Sequence, residues 1–164
     1  MAFYYKTMPS PISELRLIAS DTGLAALVWQ VHRHEALPGE TLEHHPQHRI
    51  LLESELQLNE YFAGKRTEFT LPLDLRGTPF QQRVWAELQH IPYGKTCSYL
   101  DVARRLGDEK ATRAVGAANG RNPVSIIVPC HRVIGANGSL TGYGGGMERK
   151  RWLLAHETRD TRLF

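Results

Sequence analysis

A change of residue pattern near Arg76-Gly77 divides the 164-residue chain into two halves that must fold differently. Before it, short apolar and aromatic runs are separated by turn signals such as Pro9-Ser10-Pro11 and Asp21-Thr22-Gly23, which is the spacing of a small antiparallel sheet. After it, one capped helix follows another. The sequence therefore predicts an α+β fold, with an α/β domain over residues 1–77 and a helical domain over residues 78–164.

The first half is predicted to contain a sheet, a long loop and one helix. The helix spans His48 to Phe62, where apolar residues recur at helical spacing, and Gly64 is placed to end it. The polar stretch from Val31 to Gln47 is predicted to be a loop, and its histidines lack the definite spacing of metal ligands, so no metal site is expected. The predicted strands are Phe3–Thr7, Leu15–Ala19, Leu24–Val31 and Thr70–Leu75, and the histidines of the loop are His32, His34, His44 and His45.

The second half begins with two helix-capping signals, Thr78-Pro79-Phe80-Gln81 and Ser98-Tyr99-Leu100-Asp101. A third helix is predicted from about Lys110 to Ala118. Two short helices joined by a turn that contains Gly107 match the plan of a helix-turn-helix. Many helix pairs of this kind only pack in a core, so the pattern alone leaves both interpretations open.

The third helix has one face that is almost without side-chain bulk. Alanine and glycine dominate the segment Ala111–Ala118, and Arg113 is the exception on that face. A glycine inside a helix lowers its stability by about 1 kcal/mol relative to alanine. Gly116 is explained if another structure approaches the helix backbone closely at this position. That structure is either a neighbouring helix or a nucleic acid.

The charge distribution agrees with contact between the second half and a polyanion. Residues 1–77 contain seven Lys/Arg and ten Asp/Glu, whereas residues 78–164 contain thirteen and seven. Scattered surface cations would give a similar count. No stretch approaches the roughly 20 apolar residues of a membrane span, and the first residues lack the plan of a signal peptide. The expected location is cytoplasmic, with no membrane contact.

Reactive side chains interrupt the apolar stretch Ser125–Gly135. It is predicted to be a buried strand, yet Cys130, His131 and Arg132 follow one another within it. A packed core thiol beside a solvated corner would explain this on general grounds. With only two cysteines, Cys97 and Cys130, both are expected to be free thiols.

Several blocks of the second half together resemble the O6-alkylguanine-DNA alkyltransferases. The resemblance implies a ribonuclease-H-like N-terminal sheet with a helix, and a C-terminal DNA-binding domain with a helix-turn-helix. It also implies DNA repair by a methylated-DNA–protein-cysteine methyltransferase, in which the alkyl group moves irreversibly, once per molecule and without a cofactor, to a cysteine. The blocks are Pro129–Gly135, Asn122-Pro123-Val124, Arg113–Ala118, Thr141–Gly146 and Trp152–Glu157, with a weaker match at Glu60–Gly64.

The chemistry of such a transfer requires three groups, whatever the family. Displacement at a saturated carbon needs a thiolate, and a free thiol is mostly protonated at neutral pH. A histidine can accept that proton, and a carboxylate can hold the histidine's tautomer. Cys130 is the predicted nucleophile, His131 the base and Glu157 the orienting acid. Adjacent residues rarely face each other, so a bridging water is inferred between Cys130 and His131.

Asn122 fits a hinge or clamp role, because its amide can bond backbone groups across the corner between the helices and the cysteine segment. An ordinary turn residue would occupy the same place. The remaining roles are implied by the resemblance. Tyr99 would donate a proton to the leaving guanine, although a half-buried helix residue would occupy the same place. Arg113 would fill the space of a flipped base, from a helix lying in the minor groove. The other implied DNA contacts are Ser98, Ala114, Gly116 and Ala117, and the implied pocket residues are Tyr143, Gly144 and Val133.

The expected partner is duplex DNA that contains O6-alkylguanine, with O4-alkylthymine as a second substrate. The protein is expected to be a monomer, and clustering on DNA is left open. Since residues 1–77 contain no cysteine, the structural zinc of some relatives is not expected.

Three alternatives remain. A lesion sensor of the alkyltransferase-like type binds alkylguanine without removing the alkyl group, but such proteins lack the acceptor cysteine. A transcription regulator would have no use for Cys130, His131 and Glu157. A cysteine hydrolase is disfavoured because its cysteine and histidine are usually far apart in sequence.

Overall fold

The computed structural model describes residues 2–29, 41–138, 143 and 145–162, with side chains described as far as Thr158. The chain forms two compact units, Met1–Arg76 and Gly77–Phe164. The α+β fold class read from the sequence is confirmed. Among the described residues, no helix is both long enough and apolar enough to span a bilayer.

A four-stranded sheet and one helix make up the first unit. The strands β1 (Ala2–Met8), β2 (Leu15–Ala19), β3 (Leu24–Trp29) and β4 (Thr41–His44) lie in the order β3-β2-β1-β4. The first three are antiparallel, as predicted, with Tyr4 opposite Ala19 and Leu17 opposite Leu27. The helix of this unit is α1 (Arg49–Phe62).

Helix α1 has the ends that the sequence predicts. The Nδ1 atom of His48 accepts a hydrogen bond from the Ile50 backbone N–H at 3.3 Å, which satisfies one of the free donors of the first turn. At the other end, Gly64 adopts a φ of 76°, where glycine is favoured. An ion pair of 2.6 Å between Lys6 and Glu55 links the helix to β1.

The prediction of a loop over Val31–Gln47 is wrong for the residues that the structure describes, because Thr41–His44 forms β4. This strand pairs in parallel with Ala2–Tyr5 of β1. Only Leu42 in it is apolar and the pairing is made by backbone groups, so hydrophobic periodicity carried no signal. His32 and His34 lie outside the described residues, whereas His44 and His45 pack against tyrosine rings of β1.

The predicted strand Thr70–Leu75 is reduced to one isolated bridge between Leu24 and Leu73. The Leu24 N–H donates to the Pro72 carbonyl at 2.8 Å, and the Asp74 N–H donates to the Leu24 carbonyl at 2.9 Å. Proline has no N–H with which to extend a ladder, which explains why the pairing stops there.

Both predicted capping boxes of the second unit are present. The Thr78 and Ser98 side chains accept from the backbone N–H groups of Gln81 and Asp101, whose side chains accept in return. The third helix begins at Thr112, after a 3-10 turn at Glu109–Ala111. The elements are α2 (Pro79–Leu88), β5 (Cys97–Ser98), α3 (Tyr99–Arg105), α4 (Thr112–Gly120), β6 (Val133–Ile134) and α5 (Met147–Arg162).

The segment around Cys130 is a series of turns and not the predicted buried strand. The Val128 N–H donates to the Val124 carbonyl at 3.0 Å, and Ile126 has a φ of 75°. A 3-10 turn follows at Cys130–Arg132, and pairing resumes only at β6, where Val133 lies opposite Cys97. The residues of this segment are apolar because they are buried in the fold, and a buried segment can consist of turns as well as of a strand. We refer to Cys130–Arg132 as the cysteine turn.

Candidate active site

Helix α5 carries two charged residues on its buried face. Lys150, Leu153 and Glu157 are each 0% exposed, and their spacing places them on one side of the helix over two turns. Lysine and glutamate are almost never fully buried unless they are paired. The helix therefore contributes polar groups to an interior site as well as apolar contacts.

Glu157 is the acceptor at the centre of this site. Its Oε1 accepts from Arg132 Nε at 2.8 Å, and its Oε2 accepts from Arg132 Nη2 at 3.0 Å and from His131 Nε2 at 2.7 Å. Burial raises the pKa of Glu157, but the hydrogen bonds that it accepts from His131 and Arg132 and the positive charge of Arg132 hold the pKa well below its usual range. The carboxylate is therefore ionised.

His131 is held in one tautomer by that carboxylate. An ionised Glu157 can only accept, so Nε2 of His131 carries the hydrogen and Nδ1 carries the lone pair. Burial, with the ring 0% exposed, lowers the pKa of His131, and together with the charges of Arg132 and Lys150 it outweighs the opposite effect of Glu157. Nδ1 is buried and has no hydrogen-bond partner among the described residues. The side chain is thus a neutral base with an available acceptor atom.

Cys130 is 3% exposed, and burial raises the pKa of its thiol. Hydrogen bonds from the side chains of Asn122 and Ser125 and the positive charge of Lys150 act in the opposite direction. The hypothesis of a solvated corner after the cysteine is wrong, because Arg132 is only 6% exposed and His131 is fully buried. Cys97 and Cys130 are both free thiols, as expected.

Lys150 is a site residue that the sequence reasoning missed. Its Nζ donates to the Val133 carbonyl at 2.7 Å, and burial lowers its pKa while the charge of Cys130 raises it. The available signal was a lysine seven residues before Glu157 on a helix, a spacing that returns to the same face. Arg132 and Ser125 were likewise not assigned roles, since only the fold shows what they contact.

Asn122 bonds two backbone groups of the segment that leads from it to the cysteine turn. Its Nδ2 donates to the Val128 carbonyl at 2.8 Å, and its Oδ1 accepts from the Val124 N–H at 3.0 Å. Asn119 of α4 also reaches the turn, with Nδ2 donating to the Cys130 carbonyl at 3.4 Å. Two amide side chains therefore fix the backbone around the thiol.

Of the predicted pocket residues, Val133 and Tyr143 are buried in the same unit. Burial, followed by the charge of Cys130, raises the pKa of Tyr143 well above its usual range, so its hydroxyl stays protonated. The glycine predicted to follow it in the pocket, Gly144, lies outside the described residues, as do Thr141 and Gly142.

Helix α4 is divided into a buried and an exposed side. Val115, Ala118 and Asn119 are buried, whereas Arg113, Ala114 and Ala117 are exposed and Gly116 is partly buried. A Cβ on Gly116 would meet only the Tyr99 ring, at an ordinary 3.9 Å. Among the described residues, no neighbouring helix therefore requires a glycine at this position.

Tyr99, the first residue of α3, lies near Gly116 of this helix, and Ser98 caps α3 just before it; both are partly buried. The parallel pairing of β5 with β6 links the Ser98 cap to the strand that follows the cysteine turn. Within the described ranges, no three His, Cys, Asp or Glu side chains are grouped so that they could hold a metal ion.

The fold and the site define a two-domain protein with a sheet unit and a helical unit, and the helical unit buries a cysteine, a histidine and a glutamate. Two family models match the chain. The ribonuclease-like domain of 6-O-methylguanine DNA methyltransferase matches residues 3–75, and the DNA binding domain matches residues 79–159. The chain belongs to the 6-O-methylguanine DNA methyltransferase family, which confirms the resemblance read from the sequence.

Curated relatives agree over nearly the whole length. A methylated-DNA–protein-cysteine methyltransferase of Mycobacterium tuberculosis is 52% identical over 94% of this chain and 92% of its own. A constitutive one of Bacillus subtilis is 47% identical over 92% of this chain and 93% of its own. The crystal structure of M. tuberculosis OGT in complex with DNA is 48% identical, with a TM-score of 0.85, and covers 96% of this chain and 94% of that one.

Replacing Glu157 by glutamine is expected to destabilise the protein at neutral pH. The change leaves the buried guanidinium of Arg132 without its anion, and breaking a buried ion pair from one side costs about 3–5 kcal/mol. Because the folded-state pKa of Glu157 is lowered, its stabilisation is complete above the ordinary glutamate pKa of 4.5 and declines as pH falls below it. Urea unfolding of wild type and variant from pH 7 to pH 3 should show a shrinking difference.

The control is Glu148→Gln, on an exposed residue of the same helix. Its effect on the free energy of unfolding should stay within about 0.5 kcal/mol. An equally small effect of Glu157→Gln at pH 7 would contradict the buried ion pair.

Proposed function

We propose that this chain repairs duplex DNA by moving the alkyl group of O6-alkylguanine irreversibly to Sγ of its own Cys130. The observation that carries the proposal is the buried set of Cys130, His131 and Glu157 in a chain whose relatives are methylated-DNA–protein-cysteine methyltransferases. Residues 1–77 form the ribonuclease-H-like domain, and residues 78–164 form the DNA-binding and transfer domain. O4-alkylthymine is a second substrate of the same chemistry.

The first step is removal of the thiol proton. At neutral pH an ordinary thiol is only a few per cent ionised, and burial of Cys130 makes ionisation harder. Nδ1 of His131 takes the proton through a bridging water, and Glu157 stabilises the resulting imidazolium through the 2.7 Å bond to Nε2. The charge of Lys150 and the side chains of Asn122 and Ser125 stabilise the thiolate.

Alkyl transfer follows as a displacement at carbon. The thiolate forms a C–S bond while the bond between the alkyl carbon and O6 breaks, and the electron pair of that bond passes to the guanine. Tyr99 supplies the proton that the leaving guanine needs. The product thioether has no ionisable hydrogen, so the protein acts once.

Access to Cys130 requires base flipping. The thiol is 3% exposed and O6 lies within the stacked duplex, so the damaged nucleotide must leave the stack, at a cost of a few kcal/mol. Helices α3 and α4 act as a helix-turn-helix, with the small exposed face of α4 in the minor groove. Ala114, Gly116 and Ala117 permit close approach, Arg113 fills the vacated space, and Ser98 lies at the DNA contact.

The flipped base enters a pocket formed by Tyr143, Gly144 and Val133. The 9% exposure of Tyr143 and the buried Val133 support a closed, largely apolar wall. The absence of a side chain at Gly144 leaves room beside the base. The protein works in the cytoplasm as a monomer, without a cofactor or metal.

Incubation with a duplex that contains O6-methylguanine should add one methyl group to the peptide that carries Cys130, as mass spectrometry would detect. The Cys130→Ser variant should bind the same duplex and gain no methyl group, and Cys97→Ala should be methylated like wild type. A wild-type protein that binds the duplex but remains unmodified would be a lesion sensor and would refute the transferase proposal.

Arg113→Ala should slow repair of duplex DNA while leaving the reaction with a free O6-alkylguanine base unchanged. Base flipping costs a few kcal/mol, and the residue that fills the vacated space offsets part of that cost. Its loss should therefore slow repair by about 10- to 100-fold. Single-turnover rates on both substrates test this. Equal losses on the two substrates would assign Arg113 to the chemical step and not to flipping.

Ala117→Leu should weaken binding of duplex DNA by about tenfold or more, because a larger side chain holds the exposed face of α4 away from the groove. The matched control is Ala155→Leu, which adds the same bulk to an exposed position of α5. Fluorescence anisotropy gives the two dissociation constants. If both variants bind like wild type, this face of α4 is not the DNA-binding surface.

A further inference from the structure

Arg132 follows Cys130 and His131 in sequence, and its side chain also makes several hydrogen bonds at the site. It is 6% exposed, and two of its nitrogens bind the two oxygens of Glu157 at 2.8 and 3.0 Å. A third nitrogen, Nη1, donates to the Ile91 carbonyl at 2.6 Å, and the guanidinium carbon lies 5.8 Å from the centre of the Tyr93 ring. The guanidinium therefore has a fixed position, and through it the carboxylate does too.

We infer that Arg132 is a positioning residue of alkyl transfer, which locks Glu157 in place and limits the negative charge that Glu157 presents to His131, so that His131 remains a neutral base. This inference rests on the proposed function. It assigns Arg132 a task that acts through Glu157, without contact with DNA or with the transferred group.

The hydrogen-bond geometry carries the first part of the inference. Oε2 of Glu157 is shared between His131 Nε2 and Arg132 Nη2, so the direction of the histidine bond depends on where the arginine holds the carboxylate. A bidentate arginine fixes the plane of a carboxylate, which a lysine, acting as a point charge, cannot do. With the carboxylate fixed, Nδ1 of His131 keeps one orientation.

The charges around His131 carry the second part. Glu157 and Lys150 face it from α5, and Cys130 and Arg132 belong to its own turn. Helix α2 also packs against this turn, and the residues that it buries, Val84, Trp85 and Leu88, are uncharged. Glu157 raises the pKa of His131, whereas Arg132 and Lys150 lower it. A carboxylate without its arginine would raise the pKa of His131 further, so that the histidine would become protonated at a higher pH. A protonated His131 cannot accept the thiol proton.

The test is the pH dependence of alkyl transfer to Cys130 in Arg132→Gln and Arg132→Lys, measured in single turnover with the full-length chain and a free O6-benzylguanine base. Without the arginine charge, the acid limb of Arg132→Gln should move upward by about 1 pH unit, the scale on which a neighbouring charge shifts a pKa. Arg132→Lys keeps the charge but not the bidentate grip. Its acid limb should stay near that of wild type, with a rate on the plateau that is lower by about tenfold.

The control is Arg104→Gln, which removes an exposed arginine charge from the same unit and should leave the profile unchanged. An acid limb of Arg132→Gln that coincides with wild type would overturn the inference, and so would equal shifts in both Arg132 variants. Failure of wild type to alkylate Cys130 would instead refute the proposed function.

If Arg132→Gln does not fold, Arg132→Lys decides the question through nitrogen NMR of His131. The wild-type protein should show one tautomer, with hydrogen on Nε2, and Arg132→Lys should show a mixture with a slower transfer rate. An unchanged tautomer together with an unchanged rate would overturn the inference.

Discussion

The buried ion pair between Glu157 and Arg132, joined by the ring of His131, is the interaction on which the rest of the helical unit depends. Placing a carboxylate and a guanidinium in a protein interior costs several kcal/mol per ion, and their attraction compensates only when the remaining donors and acceptors are satisfied. Here both carboxylate oxygens are bound and the third nitrogen of the arginine reaches a backbone carbonyl. The arrangement leaves Nδ1 of the histidine as the acceptor available for chemistry.

The elements around this pair have complementary tasks. Helix α5 supplies Lys150 and Glu157 from one buried face, and the cysteine turn supplies the thiol, the imidazole and the guanidinium. Helix α4 has two sides, with Asn119 directed toward the Cys130 backbone and a small exposed face bearing Arg113. In the proposed function the exposed side of this helix contacts DNA, while its buried side supports the reactive turn through Asn119.

Local signals predicted the ends of helices well. Thr78 and Ser98 form the capping boxes that their spacing indicates, and Gly64 ends α1 as expected, because these features depend on a few neighbouring residues. Strand assignments were less reliable. Strand β4 was missed because its partner β1 is nearly forty residues away in sequence, and the segment before Cys130 was read as a strand because an apolar run reports burial and not backbone conformation.

The sequence by itself determined the division into a sheet half and a helical half, the α+β fold class, the family, and the identity of Cys130, His131 and Glu157 as candidate catalytic residues. Residue types and short spacings carry that information. Only the tertiary structure decided that Arg132 and Lys150 belong to the site, that His131 and Arg132 are buried, and that Gly116 faces no neighbouring helix among the described residues. Burial and hydrogen-bond direction arise from contacts between distant segments, and no local pattern in the chain encodes them.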